Sequence, residues 1–492
     1  MKKLIYAGLL FLIVQLNTFA QKETSWWYFG FNAGLNFNSL SSATASDGST
    51  VTDMPESIVG PLSTREGCFT VATYDGRLLF SSDGSTVYDK NGSVMTNGTG
   101  LLGNYSSTQS GVAVPKPGST TEYYVITVPQ ALDPDGLCYS IVDLSQNGGL
   151  GAVTSKNNVI KAGVVYENIA VVPNTNGLDY WLIHRTAQTF YVWAITSSGI
   201  STTPHQTISN TSISAASSTY QGEIGISSDY TKVFACNWAG QQVITSIFNP
   251  TTGLLSDIRI STMALASYGG TFSPNNQYLY IGSANSVSGT NQSGSLFVQT
   301  WNNLRAGSAM TLLRHGVTNA KKAMDGRLYG IESLIGLNYS KHLYVIINPD
   351  AGGSTIKYFP NYLKYESGLG LPTFAAGFIR IIPKELPFAC TSHNRTYSVE
   401  VDLSGGNAPS RLTWNFGDGT AIINQTVTTS QSIYKQLHSY NNSGLYTITV
   451  IPYKSDGTSL TPITMEANIV NCTLKSNRMT RSDLLNSKQL ME

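Results

Sequence analysis

The chain has 492 residues, enough for two or three domains with a large core; 12% of them are charged, and the formal net charge is +1. That balance leaves no basic footprint for nucleic acid or for an anionic membrane surface. Forty-six glycines and 27 tyrosines describe many short strands and turns, with abundant Ser, Thr and Asn supplying hydroxyl and amide faces.

At the N-terminus, Lys2 and Lys3 precede an apolar run from Leu4 to Val14, and Thr18-Phe19-Ala20 offers the small residues a signal peptidase reads. Residues 1–20 therefore read as a signal peptide, with Gln21 as the first mature residue. The run is too short to anchor, and no other stretch reaches the ~20 apolar residues of a membrane helix, so no transmembrane segment is expected. The reading is a soluble exported protein of the periplasm, the cell surface or the extracellular space.

Beyond it lies a repeat. Asp75-Gly-Arg-Leu-Leu-Phe80, Gly177-Leu-Asp-Tyr-Trp-Leu-Ile183, Asp229-Tyr-Thr-Lys-Val-Phe234, Pro274-Asn-Asn-Gln-Tyr-Leu-Tyr280 and Asp325-Gly-Arg-Leu-Tyr329 each join a turn to a short aromatic-rich strand, and Gly118 to Ile126 makes a sixth. Taking Leu78, Tyr123, Tyr180, Val233, Tyr278 and Leu328 as equivalent, the repeat recurs every 45 to 57 residues, enough for a four-stranded blade. One blade cannot bury both faces of its sheet, so blades stack around an axis and the last closes on the first. The expected fold is all-β: a β-propeller over 24–383, with Trp26 to Phe37 completing the final blade beside Lys357 to Ile382, which suggests seven blades and leaves six and eight open.

Within the repeat, Glu66, Glu167 and Glu223 recur just ahead of strand segments, at positions that converge near the central channel of a propeller. With Arg65, His184 and Arg185 they form the polar set expected to bind a ligand if the channel binds one. The structural alternative is that each carboxylate pairs with a neighbour and holds blade to blade. Tryptophans 26, 27, 181, 193, 238 and 301 are candidates for inter-blade core or for a sugar-stacking platform. The six histidines are dispersed without metal-ligand spacing, and neither a G-x-S-x-G elbow nor a Walker loop occurs, so no catalytic residue and no cofactor is assigned. Asp133-Pro-Asp135-Gly136 could lend two carboxylates to Ca²⁺ but lacks the later ligands of a calcium loop, and a plain turn is the favoured reading.

Cys390 and Cys472 bracket the C-terminal segment and are the expected disulfide, while Cys68, Cys138 and Cys236 sit among apolar strand residues as buried thiols. Between the bracketing pair, Leu412, Trp414 and Phe416 alternate with polar neighbours, and Gly417-Asp418-Gly419 supplies a positive-φ turn. Tyr446, Ile448 and Val450 repeat the alternation, as do Val399 and Val401.

The string Trp414-Asn-Phe-Gly-Asp-Gly-Thr420, with His438-Ser-Tyr440 and Gly444-Leu-Tyr446, resembles a PKD domain, which implies an immunoglobulin-like sandwich over 388–473 acting as a spacer or binding module. Pro383-Lys-Glu-Leu-Pro387 reads as a semi-rigid linker, and 474–492 as a disordered tail or short docking helix. A second resemblance spans nearly the whole mature chain. Trp27-Tyr-Phe-Gly30, Asn32-Ala-Gly-Leu-Asn-Phe37, Glu66-Gly-Cys68, Gly100-Leu-Leu-Gly103, Val114-Pro-Lys-Pro-Gly118, Met324-Asp-Gly-Arg-Leu-Tyr329 and Val345-Ile-Ile-Asn-Pro349 resemble a family of exported Bacteroidetes proteins in which a propeller-like region precedes a PKD domain. That resemblance implies association with gliding motility, type IX secretion or the cell surface. Unlike many such proteins, this chain stops about twenty residues after Cys472, too few for a sandwich-like sorting domain.

The expected function is a non-catalytic exported scaffold that recognises an envelope or secretion-machinery protein. A carbohydrate-binding surface protein, with a glycan as its ligand, is the alternative; a glycan hydrolase with paired carboxylates is the second.

Overall fold

Short apolar runs punctuated by Gly, Asn and Asp turns yield an almost purely β structure, whose α-helix among the described residues is Trp301–Arg305. The computed structural model describes residues 22–73, 76–176, 179–215, 220–286, 292–334, 338–376, 389–401, 408–428 and 433–470. The expected signal peptide, the 383–387 linker, Cys472 and the 474–492 tail lie outside them. No described helix is long and apolar enough to cross a membrane. The chain divides into two compact units, 21–386 and 387–471.

Among the described residues, the strands of the first unit form five sheets, within which they run in consecutive antiparallel groups spanning 26–63, 69–99, 111–161, 170–209, 224–262, 267–315 and 319–359. The second and third are joined by one parallel pair, Thr96 with Ala152, and the sixth and seventh by Gln292 with Leu334 and Ser293 with Ser333. All six repeat markers, Leu78 to Leu328, fall on the second strand of their group. The first strands of successive groups are neighbours, from Trp26–Phe29 through Phe69–Ala72 to Asn319–Lys322. One apolar cluster then joins the first group to the seventh, with Trp27 and Phe37 6.0 and 5.2 Å from the Tyr329 ring. The arrangement is β-propeller-like: each sheet buries its faces against the sheets on either side.

Closure differs from the expectation. Trp26 to Phe37 does not complete the last sheet but pairs with its own neighbours, Phe31–Thr44 and Thr50–Ser63, while Lys357 sits on the seventh group's last strand, Ile356–Phe359. The long 31–63 hairpin supplies the hydrogen bonds that a borrowed strand would otherwise provide. After the seventh group the chain continues as a strap without regular structure. Phe31 donates its N–H to Glu366 O, Leu369 to Arg65 O at 2.7 Å, Thr373 to Cys68 O at 2.8 Å, and Ala376 to Val171 O at 2.7 Å. Ser367, Leu371, Thr373 and Ala375 are buried, so the strap runs along the first strands inside the unit, with its backbone polar groups paired there.

The second unit contains a five-stranded sheet and a two-stranded pair, Arg395–Glu400 with Ile433–His438. Both contribute to one core around Tyr397, Trp414, Phe416, Tyr434, Ile448 and Val450. Gly417 and Gly419 hold positive φ in the turn. Between them, the Asp418 carboxylate accepts Thr420 N–H at 3.1 Å and the Thr420 hydroxyl at 2.6 Å, and lies 2.8 Å from His438 Nε2. The His438 ring stacks on Phe416 with centroids 3.9 Å apart, so the motif residues fix the turn onto the core. Cys390 is disulfide-bonded, and Cys68, Cys138 and Cys236 are free, buried thiols.

Candidate functional site

The segments that lead into the first strands place the three glutamates inside the ring unit, each at most 3% exposed. Glu66 precedes Phe69–Ala72; its Oε2 accepts the Tyr268 hydroxyl at 2.8 Å and its Oε1 accepts Ser106 Oγ at 3.4 Å. Arg65 Nε is 3.7 Å from the same Oε1, an ion pair without hydrogen-bond geometry. Glu167 precedes Ala170–Pro173. Its Oε2 accepts the N–H and hydroxyl of Thr108 at 2.9 and 2.8 Å, and its Oε1 accepts Ala131 N–H at 2.7 Å. Glu223 precedes Ile224–Ile226 and takes Asn319 Nδ2 at 2.9 Å, Gly270 N–H at 3.1 Å and Lys321 Nζ at 2.5 Å.

Burial pushes the Glu66 carboxyl up to about 7, and the Glu167 carboxylate adds to the rise, while the Tyr268 hydroxyl and Arg65 act in the opposite sense. Glu167 also lies above the ordinary carboxylate range, because burial outweighs the hydrogen bonds from Thr108 and Ala131. Two carboxyls raised above the ordinary range could in principle serve as acid and base. Here, however, both Glu167 oxygens are occupied by the protein's own donors, and Glu66 is buried with its two oxygens accepting the Tyr268 and Ser106 hydroxyls, while Gly368 and Gly370 of the strap pack on the Arg65 and Glu66 backbone.

His184 and Arg185 do not join this cluster. Both lie on the second strand of the fourth group, Tyr180–Thr186, whose central residues are buried on both faces. His184 bonds Asn168 O at 2.7 Å and Thr186 Oγ1 at 3.1 Å, and burial drops it to about 4, leaving a neutral ring at pH 7. Arg185 donates to Ala187 O at 2.7 Å and Cys236 O at 3.1 Å and lies 5.0 Å over the Tyr166 ring; burial drops it to about 10. Asp133 Oδ1 accepts Asp135 N–H at 3.2 Å in an exposed turn, and no group of three or more His, Cys, Asp or Glu among the described residues is placed to hold a metal. Trp27, Trp181, Trp193 and Trp301 are buried core residues and not a rim platform.

Sequence reasoning missed Tyr268, Asn319, Lys321 and Gln109. Gln109 ties three groups together, its Oε1 accepting Ile169 and Ile224 N–H at 3.0 and 2.9 Å. One signal was present in Ser267-Tyr-Gly-Gly270, since paired glycines inside a strand mark close approach. A Cβ on Gly269 would stand 2.7 Å from the Glu223 carboxyl carbon and 2.8 Å from Asn319 Nδ2.

Beyond the carboxylates lies a cavity of about 150 Å³, lined by the first strands of the fourth to seventh groups and by Pro372 to Ala376 of the strap. Three loops whose backbones neighbour the segments carrying Glu66 and Glu167 expose large apolar side chains: Tyr105 at 52%, Leu132 at 63% and Tyr365 at 46%. Each segment is tied to the cluster's backbone, through Tyr105 O to the Arg65 and Glu66 N–H groups, Ala131 N–H to Glu167, and Leu369 N–H to Arg65 O.

No protein-family model and no curated protein matches the chain. Among solved structures, it is similar to a candidate 6-phosphogluconolactonase from Bacteroides fragilis at 12% identity, covering 70% of this chain and 97% of that one with a TM-score of 0.45. A protein from Lactobacillus plantarum is similar at 10% identity, covering 70% and 98%, with a TM-score of 0.41. The periplasmic gluconolactonase of Pseudomonas aeruginosa is similar at 12% identity, covering 71% and 97%, with a TM-score of 0.35. At such identities and TM-scores the activities in those descriptions stay with those proteins.

Proposed function

We propose that this chain is a non-catalytic binding scaffold, exported to the cell envelope, in which a seven-bladed propeller precedes a PKD-like immunoglobulin sandwich. Its partner is a protein of a secretion or motility apparatus, in keeping with the Bacteroidetes family it resembles. The observation that carries this reading is a contrast within the ring unit. There the carboxylates are sealed and bonded inward, while the loops around them present Tyr105, Leu132 and Tyr365 to solvent. Buried, internally paired acids hold neighbouring sheets together, whereas large apolar side chains exposed on the adjoining loops suit recognition of another surface.

The test is retention of envelope components on the chain beginning at Gln21, with each retained protein purified and rebound in isolation. The scaffold reading expects a stoichiometric protein partner whose binding drops at least tenfold when Tyr105, Leu132 and Tyr365 are replaced by Asp. Retention of glycan alone would move the assignment to carbohydrate binding through the exposed tyrosines. Turnover of a glycan or lactone, abolished in folded Glu66→Gln and Glu167→Gln variants, would replace the scaffold with a hydrolase.

A further inference from the structure

The two adjacent lysines that line the cavity are in different states. Lys321 is paired with Glu223. Lys322 Nζ has the Ser228 hydroxyl as its hydrogen-bond partner, and no carboxylate among the described residues lies within ion-pair distance of it. An ammonium group has three N–H donors, so two remain for a ligand. The turn that carries Ser228 is fixed by its own N–H, donated to Asn276 Oδ1 at 2.9 Å.

The acidic groups facing Lys322 are Asp229 and Asp350. Both are engaged elsewhere: Asp229 Oδ1 takes Ser227 Oγ at 2.5 Å, Thr231 N–H at 3.1 Å and Thr231 Oγ1 at 2.9 Å, and Asp350 Oδ1 takes Asn275 N–H at 2.9 Å. The rest of the wall is mixed: Ile169, Ile226, Phe234, Phe374 and Ala375 form an apolar part, and Thr24, Gln109, Thr271 and Thr373 a polar one.

We propose that this cavity is a binding site for a small monocarboxylate, its oxygens held by Lys322 Nζ and the Ser228 hydroxyl and its short acyl tail lying against Ile169, Ile226 and Ala375. Size and charge both select that class. A cavity of this volume accommodates a molecule of about six heavy atoms. Lys322 supplies one positive charge against the field of Asp229 and Asp350, so a second negative charge on the ligand would find no counter-charge, and phosphate has no apolar tail to lie against Ile169, Ile226 and Ala375. Burial holds Lys322 down at about 8, so it is still mainly charged at pH 7 and loses its charge as the pH rises through that value. Part of the wall is the strap, so an occupant would also hold Pro372 to Ala376 in place.

The experiment is calorimetric titration of the chain beginning at Gln21 with sodium propionate, sodium lactate and inorganic phosphate at matched ionic strength. Expected are saturable 1:1 binding of a monocarboxylate, a melting temperature that rises with its concentration, and affinity that falls steadily from pH 7 to pH 9.5. Lys322→Gln should weaken binding at least tenfold, and Lys116→Gln, which touches only the surface pair with Glu122, should leave it unchanged. Ser228→Ala, a smaller perturbation that keeps the comparison available if Lys322→Gln does not fold, should weaken it several-fold. Absence of saturable binding, equal affinity for phosphate, or wild-type affinity in folded Lys322→Gln or Ser228→Ala would overturn the proposal.

Discussion

The Glu66 carboxyl makes the stability of the ring unit depend on pH in a direction opposite to that of most acidic residues. Its folded value, about 7, stands above the ordinary 4.5, so the folded chain binds this proton more tightly than the unfolded one. The associated stability is fully present below about pH 4.5 and is lost as the pH rises through about 7. A shift of that size corresponds to about 3 kcal/mol. For a unit spanning 21–386, unfolding entropy of about 2.1 cal/mol/K per residue converts this to about 4 °C in melting temperature. Glu66→Gln keeps an acceptor for the Tyr268 hydroxyl and removes the ionisation. Scanning calorimetry of wild type and Glu66→Gln at pH 5 and pH 8 should therefore show the variant melting about 4 °C above wild type at pH 8, with the gap closing at pH 5. Equal melting temperatures at pH 8, or a gap that widens toward acid, would refute the reasoning. Glu167 and Asp325, raised by burial too, would contribute residual dependence of the same sign in the variant.

Lys321→Met should cost about 3 to 5 kcal/mol in chemical denaturation, because it leaves Glu223 fully buried without its counter-charge, and adding Glu223→Gln should recover much of the loss. Gly269→Ala should destabilise by about 1 to 3 kcal/mol, since the new methyl meets the Glu223 carboxyl and the Asn319 amide, an overpacking cost measurable by the same assay. Leu132 has a φ of +70°, exposed and without a glycine's freedom, so Leu132→Gly should raise stability by about 0.5 to 1 kcal/mol. Trp414→Ala should cost about 3 to 5 kcal/mol and abolish the second unit's calorimetric transition while leaving the first in place.

The all-β, propeller-like character was legible because its signals are local. A turn residue followed by an aromatic strand is written within six or seven positions, and Leu78, Tyr123, Tyr180, Val233, Tyr278 and Leu328 all reach the second strand of a group. The Glu66, Glu167 and Glu223 positions were legible for the same reason, as each directly precedes a strand. Their partners were not. Tyr268 is 202 residues from Glu66, and Lys321 is 98 from Glu223, so no spacing rule joins them. His184 and Arg185 were misplaced because charged residues beside a strand marker suggest a channel, whereas both are buried on the second strand of their group, His184 against Asn168 and Arg185 against Tyr166 and the next group's Cys236. The closing strand failed in the same way, since the hairpin that displaced it spans 31–63 and competes only in three dimensions.

The strap has a kinetic consequence. Residues 366, 369, 373 and 376 bond positions 31, 65, 68 and 171, so the contacts that line the interior join chain segments more than 200 residues apart. Such non-local contacts raise contact order and slow folding, because loop closure precedes any compensating contact. During synthesis the early sheets form while the segment that fills their inner edge is still unmade. Until residue 376 is available, those edges stay open to aggregation or to a chaperone. A chain truncated just short of the strap should thus fold more slowly and aggregate more than one truncated after it, although every sheet of the ring is present in both.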